Sequence, residues 1–294
     1  MSADNATAIV CDTTAYLPGE LIAEYGIHTV SLYVTLDGVQ RAEADISAAE
    51  YDTFYERLSA SPGIATTSQP SVGDFVSVYG PLLDEGREIV SLHLSSGISG
   101  TCDSARQARQ QLIDEGRGGE RIHVFDSRSA CGGLGLSVLA AAHAARQGAS
   151  GEEALAAAER ARSGLKIWFA IDTLEYLRKG GRIGAAQALL GSALQIKPIL
   201  TLDEEIRPIE RVRTRRRAFE RLVDYARERQ ADGADAWVVQ HIHDRENADR
   251  LVAHGREIFG CDPVFIGEIG PVIGAHIGPG LLGIGGTSRE ALGF

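Results

Sequence analysis

The residues best suited to chemistry in this 294-residue chain lie in Leu94-Ser95-Ser96-Gly97-Ile98-Ser99-Gly100-Thr101. The apolar run Glu88 to Leu94 reads as a buried strand, and Asp103 to Ala108 reads as the start of a helix. A strand that turns through Ser and Gly into a helix exposes backbone N–H groups and hydroxyls at one point. That is a socket for a small anion, a carboxylate or a phosphate. A second polar cluster is Thr66-Thr67-Ser68-Gln69-Pro70-Ser71. Pro70 biases Gln69 to extended geometry and Ser71 suits a helix N-cap, which leaves Thr67 and Ser68 with hydroxyls to offer. A third is His276, alone in Val272-Ile273-Gly274-Ala275-His276-Ile277. The glycines around it permit close backbone approach, and an imidazole can hydrogen-bond an anion at neutral pH. Each cluster also has a plain structural reading: a tight strand–helix link, a capped helix, a core histidine.

Other chemistries fit less well. A nucleophile elbow is absent, because Gly97-Ile98-Ser99-Gly100 breaks the Gly-x-Ser-x-Gly spacing. No Gly-Lys-Ser/Thr occurs, so there is no phosphate-binding P-loop. Gly278-Pro279-Gly280-Leu281-Leu282-Gly283 matches the dinucleotide fingerprint in letters, but too little chain follows for a βαβ unit. Arg178-Lys179-Gly180-Gly181-Arg182-Ile183 sets three cations around a helix break, as dipole partners or as a phosphate or partner contact. His241 and His243 read as sharing a strand face beside Asp244, yet no third ligand is apparent and no metal is expected. Cys11, Cys102, Cys131 and Cys261 form no Cys-x-x-Cys pair, so neither a zinc site nor a disulfide framework is indicated.

The elements that must position these residues alternate. Strands are expected at Ala8 to Cys11, Thr29 to Val34, Ile89 to Leu94 and Ile122 to Asp126, with helices after Pro18, Ser47, Ser71, Thr101 and Gly133. This is a parallel α/β layer structure, and its strands end on Asp12-Thr13-Thr14, Ser95-Ser96 and Asp126-Ser127, where such sheets hold ligands. A helix capped at Ser150 closes the first domain, placed at residues 1–163. Residues 164–294 read as an α+β domain with an antiparallel sheet: a strand at Ile167 to Ile171, helices at Thr173 to Lys179 and Arg182 to Leu194, a hairpin about Asp203-Glu204, helices from Arg215 and Arg245, and short strands between glycines. The net charge of −11 disfavours nucleic acid and anionic membranes as partners. The polar start, Met1 to Asn5, and the lack of any apolar run of about 18 residues lead us to expect a cytoplasmic protein with no membrane span.

Together these segments resemble the DegV family of bacterial fatty-acid-binding proteins. The resemblance rests on Ile9-Val10-Cys11-Asp12-Thr13-Thr14 with Leu17-Pro18, Thr67-Ser68-Gln69-Pro70-Ser71, Ser95 to Thr101, Asp126-Ser127, Tyr176 to Ile183, Ile196-Lys197-Pro198-Ile199-Leu200 and Gly274 to Gly280. It implies an N-terminal α/β domain related to part of dihydroxyacetone kinase, a C-terminal α+β domain, and a long-chain fatty acid between them. It also implies a non-catalytic subunit without a cofactor, which presents the acid to a separate ATP-dependent fatty acid kinase subunit that makes an acyl phosphate. Carried over, the carboxylate contacts are Thr67 and Ser68, Ser95 or Ser96 with Gly97, and His276; Arg182 falls at the ligand edge or kinase contact. Tyr16 and Cys102 depart from the family pattern and bear on acyl preference. Alternatives are a stand-alone serine esterase or phosphotransferase, or a carrier of another amphiphilic acid. Burial of about 14 methylenes at roughly 0.8 kcal/mol each gives a gross gain of about 11 kcal/mol to offset ordering and association costs.

Overall fold

The computed structural model describes residues 6–61, 63–190 and 196–294. The chain opens with β1 (Thr7–Asp12), buried throughout, and a 3-10 turn capped by Asp12. Helix α1 (Gly19–Tyr25) enters through Pro18 and leads to β2 (His28–Val30). Next come β3 (Tyr33–Leu36), β4 (Val39–Ala42), α2 (Tyr51–Ala60) and β5 (Thr66–Ser68). Ser47 and Glu50 make the expected capping box ahead of α2. Ser71 and Asp74 make another at α3 (Val72–Asp84). Then β6 (Glu88–His93), α4 (Thr101–Asp114), β7 (Ile122–Asp126), α5 (Gly132–Arg146) and α6 (Gly151–Gly164) alternate as expected. The later chain holds β8 (Lys166–Ala170), α7 (Glu175–Gly180), β9 (Lys197–Asp203), β10 (Glu205–Val212), α8 (Arg215–Ala231), β11 (Ala236–His241), α9 (Arg245–Phe259), β12 (Phe265–Glu268), α10 (Pro271–Ile277), β13 (Leu282–Thr287) and α11 (Arg289–Leu292).

These elements form two compact units. The first comprises the chain up to Leu32, Gln69–Gly164 and Ser288–Phe294. Its sheet runs β2-β1-β6-β7, and every pairing is parallel. Helices α3 and α4 cover one face, where Ala8, Val10, Ile89 and Ile122 meet Phe75, Tyr79, Ala105 and Leu112. The Ala-rich α5, buried along most of its length, and α6 pack on β1 and β6. Two covered faces explain why β1 carries no exposed residue.

The second unit comprises Tyr33–Ser68 and Leu165–Thr287. Its six-stranded sheet runs β10-β9-β8-β13-β11-β12, antiparallel except for β11 with β12. The hairpin turns at Glu204, in the left-handed region, and Pro208 sits on the edge strand β10 beside a register shift. Helices α8 and α9 cover one face through Leu222, Val223, Leu251 and Val252 against Trp237, Val239 and Ile284. A small sheet, β4-β3-β5, completes this unit.

The contacts therefore divide the chain otherwise than a single cut at residue 163 would. Tyr33–Ser68 joins the second unit because Tyr55 Oη donates to the carbonyls of Ile269 (2.6 Å) and Gly270 (3.0 Å), and buried Glu43 accepts from Val272 N at 2.8 Å. The strand expected over Thr29 to Val34 is two strands in different sheets, β2 and β3. The break at Ser31-Leu32 is held by side-chain bonds, Ser31 Oγ to Leu32 O at 2.8 Å and Leu32 N to Thr13 Oγ1 at 3.3 Å. The helix expected from Arg182 is a 3-10 turn, Gly184–Leu189, begun at a left-handed Gly184; its expected end, residues 191–194, lies outside the described residues. One of the expected short strands is instead helix α10, started by Pro271.

Candidate functional site

In the first unit the polar strand ends meet as expected for an open parallel sheet. At the end of β6, Ser95 is fully buried. Its N–H donates to Ser129 O at 2.7 Å, and its carbonyl accepts from Ile98 N and Ser99 N at 3.1 Å. Its hydroxyl oxygen accepts from Gly97 N at 3.2 Å. Ser96 is exposed, and Asp126 at the end of β7 takes both its donors: Ser96 Oγ at 2.5 Å and Ser96 N at 3.3 Å. The Ser96 hydroxyl thus already serves a carboxylate within the protein. Gln69 lies against the turn, since a Cβ on Gly100 would fall 2.6 Å from its amide, and it donates to Ser104 Oγ at 3.2 Å.

A buried chain of polar groups lies beneath this turn, and sequence reasoning missed it. Tyr79 Oη donates to Ser91 Oγ at 2.6 Å, and Ser91 Oγ lies 2.7 Å from His93 Nε2. Because Ser91 accepts from Tyr79, its own proton goes to Nε2, which leaves Nδ1–H to donate to Asp12 Oδ2 at 3.1 Å. Asp12 Oδ2 also accepts from Leu94 N at 2.9 Å, and Oδ1 accepts from Thr14 N at 3.0 Å and Thr14 Oγ1 at 2.5 Å. Asp12, Ser91 and His93 are all fully buried. The available signal was Ser91 and His93 alternating in an apolar strand, which sets them on one face. Ser129 is a further candidate: its buried hydroxyl has no partner among the described residues.

In the second unit, Thr67 and His276 meet. Thr67 Oγ1 and His276 Nε2 are 2.7 Å apart across 209 positions of sequence. Thr67 sits on β5 opposite Val34 of β3. The two-residue period of a strand puts Ser68 on the other face, where its exposed hydroxyl accepts from Gln40 Nε2 at 3.4 Å. The Ser68 side chain is therefore not brought to His276. His276 lies in the last turn of α10 and is packed by α7: a Cβ on Gly180 would lie 2.3 Å from Nδ1. Burial, and secondarily the charge of Arg182, push the imidazole pKa down to about 4, so the ring is neutral at pH 7. Its Nδ1 is buried without a hydrogen-bond partner among the described residues.

Two cations of the Arg-Lys-Gly-Gly-Arg segment are engaged locally. Lys179 pairs with Glu175 at 2.6 Å, and exposed Arg182 donates to Gly180 O at 2.8 Å. His241 and His243 do not share a strand face. His241 ends β11 and accepts from Asp244 N, whereas His243 lies beyond the strand and pairs with Asp52 at 2.7 Å. No group of His, Cys, Asp or Glu suited to a metal occurs among the described residues. Cys102, buried at the start of α4, has its thiol pushed up to about 12 by burial and nearby carboxylates. No helix among the described residues is long and apolar enough to cross a membrane.

Taken separately, the first unit's cluster offers hydroxyls and backbone N–H groups and the second unit's pair a hydroxyl and a neutral imidazole, groups that hydrogen-bond an anion without carrying a positive charge. Residues 6–288 match the family model described as "Uncharacterised protein, DegV family". A DegV domain-containing protein of Clostridium acetobutylicum is 39% identical over 281 residues, 95% of this chain and 96% of that one. Protein DegV of Bacillus subtilis is 34% identical over 94% of this chain and 97% of its own. Among solved structures, a fatty-acid-binding DegV family protein from Thermus thermophilus superposes with a TM-score of 0.85 at 34% identity, covering 96% of this chain and 99% of that one. DegV of Bacillus subtilis, described as a fatty acid binding protein, gives 0.83 at 32% identity, covering 96% and 99%. The chain belongs to the DegV family.

Proposed function

We propose that this protein binds a long-chain fatty acid by its carboxylate and presents it to a separate ATP-dependent kinase subunit for acyl-phosphate formation, doing no chemistry itself. The observation that carries the reading is the Thr67–His276 contact, in which a neutral imidazole and a hydroxyl are held at 2.7 Å in a largely apolar setting. The solved relatives described as fatty acid binding, 34% and 32% identical to this chain, support the ligand class. The kinase partner rests on the family resemblance alone. In this reading, carried over from the family resemblance, Thr67, Ser68, Ser95, Ser96, Gly97 and His276 are the candidate head-group residues, of which Ser96 already has its hydroxyl and N–H bonded to Asp126, and Arg182 marks the ligand edge or the kinase contact. For a non-catalytic role we note that the Ser96 hydroxyl is bonded to Asp126 and to no imidazole among the described residues, unlike the serine of a Ser-His-Asp arrangement.

Native mass spectrometry of protein purified from bacteria tests the ligand: a bound mass equal to a fatty acid is expected. Protein that arrives empty and takes up no fatty acid would refute the reading. Phosphorylation by an added fatty acid kinase subunit, measured as acyl-phosphate release, tests the partner separately.

A further inference from the structure

A cavity of about 500 Å3 lies within the second unit, away from Thr67 and His276 in its lining. This is within the range of small-molecule sites. Its floor is apolar, from Ala170, Ala218, Leu222 and Leu282. Its walls carry Lys197, Arg215, Arg216 and Arg250 against Asp172, Glu220 and Asp244, an excess of cations in a chain of net charge −11.

The cations divide into two classes. Lys197 and Arg215 are fixed on Asp172, Lys197 Nζ at 2.8 Å and Arg215 Nε at 2.8 Å. They neutralise that carboxylate and stiffen one wall. Arg216 engages Glu220 through Nε only, and its side chain is 90% exposed. Arg250 makes no ion pair with any described carboxylate: its guanidinium lies 4.7 Å over the Phe219 ring and donates one bond, to Asn247 Oδ1 at 2.9 Å. Arg250 is thus positioned by a ring and an amide with its remaining N–H donors uncommitted. Two long helices also start at this cavity. Arg215 and Arg216 are the first residues of the 17-residue α8, and Asp244 is the N-cap of the 15-residue α9, making no side-chain cap bond there. Both helices bring the positive end of their dipole.

We propose that this cavity is a second ligand site that takes a phosphate-class anion, with Arg216 and Arg250 as its contacts. Planar guanidinium groups in a preformed cleft match tetrahedral oxyanions bidentately. The site requires nothing of the fatty-acid reading. Isothermal titration with inorganic pyrophosphate at low salt reads the free-phosphate form, and flotation with phosphatidylglycerol vesicles reads the same chemistry on a lipid head group. The expected result is saturable binding in one of these two assays, weakened about tenfold or more in R250M and in R216Q, since charge-assisted hydrogen bonds are the strong ones, with thermal stability and bound lipid unchanged. Pyrophosphate binding assigns the site to a soluble ligand; vesicle binding alone assigns it to a head group. No binding in either assay, or binding indifferent to both substitutions, overturns the proposal.

Discussion

Gly180→Ala separates the geometry of His276 from every direct contact a ligand could make. Gly180 ends helix α7 without a left-handed φ, so alanine suits the backbone and should favour the helix by up to about 1 kcal/mol. The added methyl, however, falls 2.3 Å from His276 Nδ1, 3.2 Å from Cε1 and 3.4 Å from Cγ. Carbon and nitrogen pack at about 3.5 Å, so the ring must retreat by about 1 Å. On the far side of the ring Nε2 holds Thr67 at 2.7 Å. A shift of that size toward Thr67 would compress the 2.7 Å contact well below hydrogen-bond length, so the bond must reorient or break. A lost buried hydrogen bond costs about 1–3 kcal/mol, and a head group bound through this pair should be held about 5- to 150-fold more weakly.

The assay is titration of delipidated protein with a long-chain fatty acid, run on Gly180→Ala, Thr67→Val and the double variant. Both single changes disturb the same contact, so the double variant should be little worse than either. A thermal melt checks the fold, and the His276 ring signals in NMR report the displacement whether or not a ligand binds. Wild-type affinity in a folded Gly180→Ala protein, with the ring signals unmoved, would refute the reasoning that Gly180 sets the imidazole in place.

Three further outcomes follow from the same coordinates. His276 should titrate near pH 4, against about 6.5 in the unfolded chain, so the unfolded state binds the proton first and stability falls as pH drops from about 6.5 to 4; the contribution is about 3 kcal/mol, and its absence from the difference between His276→Gln and wild-type urea melts across that window would count against it. Asp12→Asn swaps one acceptor oxygen for a donor facing backbone and side-chain N–H or O–H groups, and should cost about 2–4 kcal/mol in urea unfolding, where an unchanged midpoint would contradict the hydrogen-bond assignment. Gly255→Ala places a methyl 2.4 Å from the fully buried Trp237 ring, and overpacking of this kind should lower stability by about 1–3 kcal/mol, with a red-shifted or broadened tryptophan emission as the companion readout.

What could be read from sequence was local. Ser71 with Asp74 and Ser47 with Glu50 announce helix starts because the capping bonds span only three residues. Glu204 announces its hairpin for the same reason. Partners that meet across the chain leave no such signal. Thr67 and His276 each stood out, but nothing in the sequence between them, a separation of 209 positions, says that they touch. Tyr33–Ser68 reads as a continuation of the first unit because its apolar pattern fits any sheet, and the bonds that tie it to α10 come from Tyr55 and Glu43, residues without a motif. Ser96 was legible as a turn residue but not as the partner of Asp126, since both ends of that bond are explained equally well by loop polarity.

Asp12, His93 and Ser91 have the connectivity of a hydrolytic triad: carboxylate to Nδ1, Nε2 to a serine hydroxyl. Function does not follow from connectivity. A triad works only where the serine oxygen can approach a carbonyl carbon, and Ser91 is fully buried within the first unit's core, with Tyr79 donating to its oxygen. Reaching it would require moving Phe75, whose ring lies 5.0 Å from His93, and Tyr79 beneath α3, and such an opening would forfeit the apolar burial that holds the helix on the sheet. The same bonds have another consequence. Asp12 joins the end of β1 to Leu94 N at the end of β6, immediately before Ser95. Each donor in the chain is satisfied by the next, so the turn that follows β6 is set by a fully buried, fully bonded network. The three residues that look most like an enzyme are thereby better explained as the anchor of the Ser95 turn.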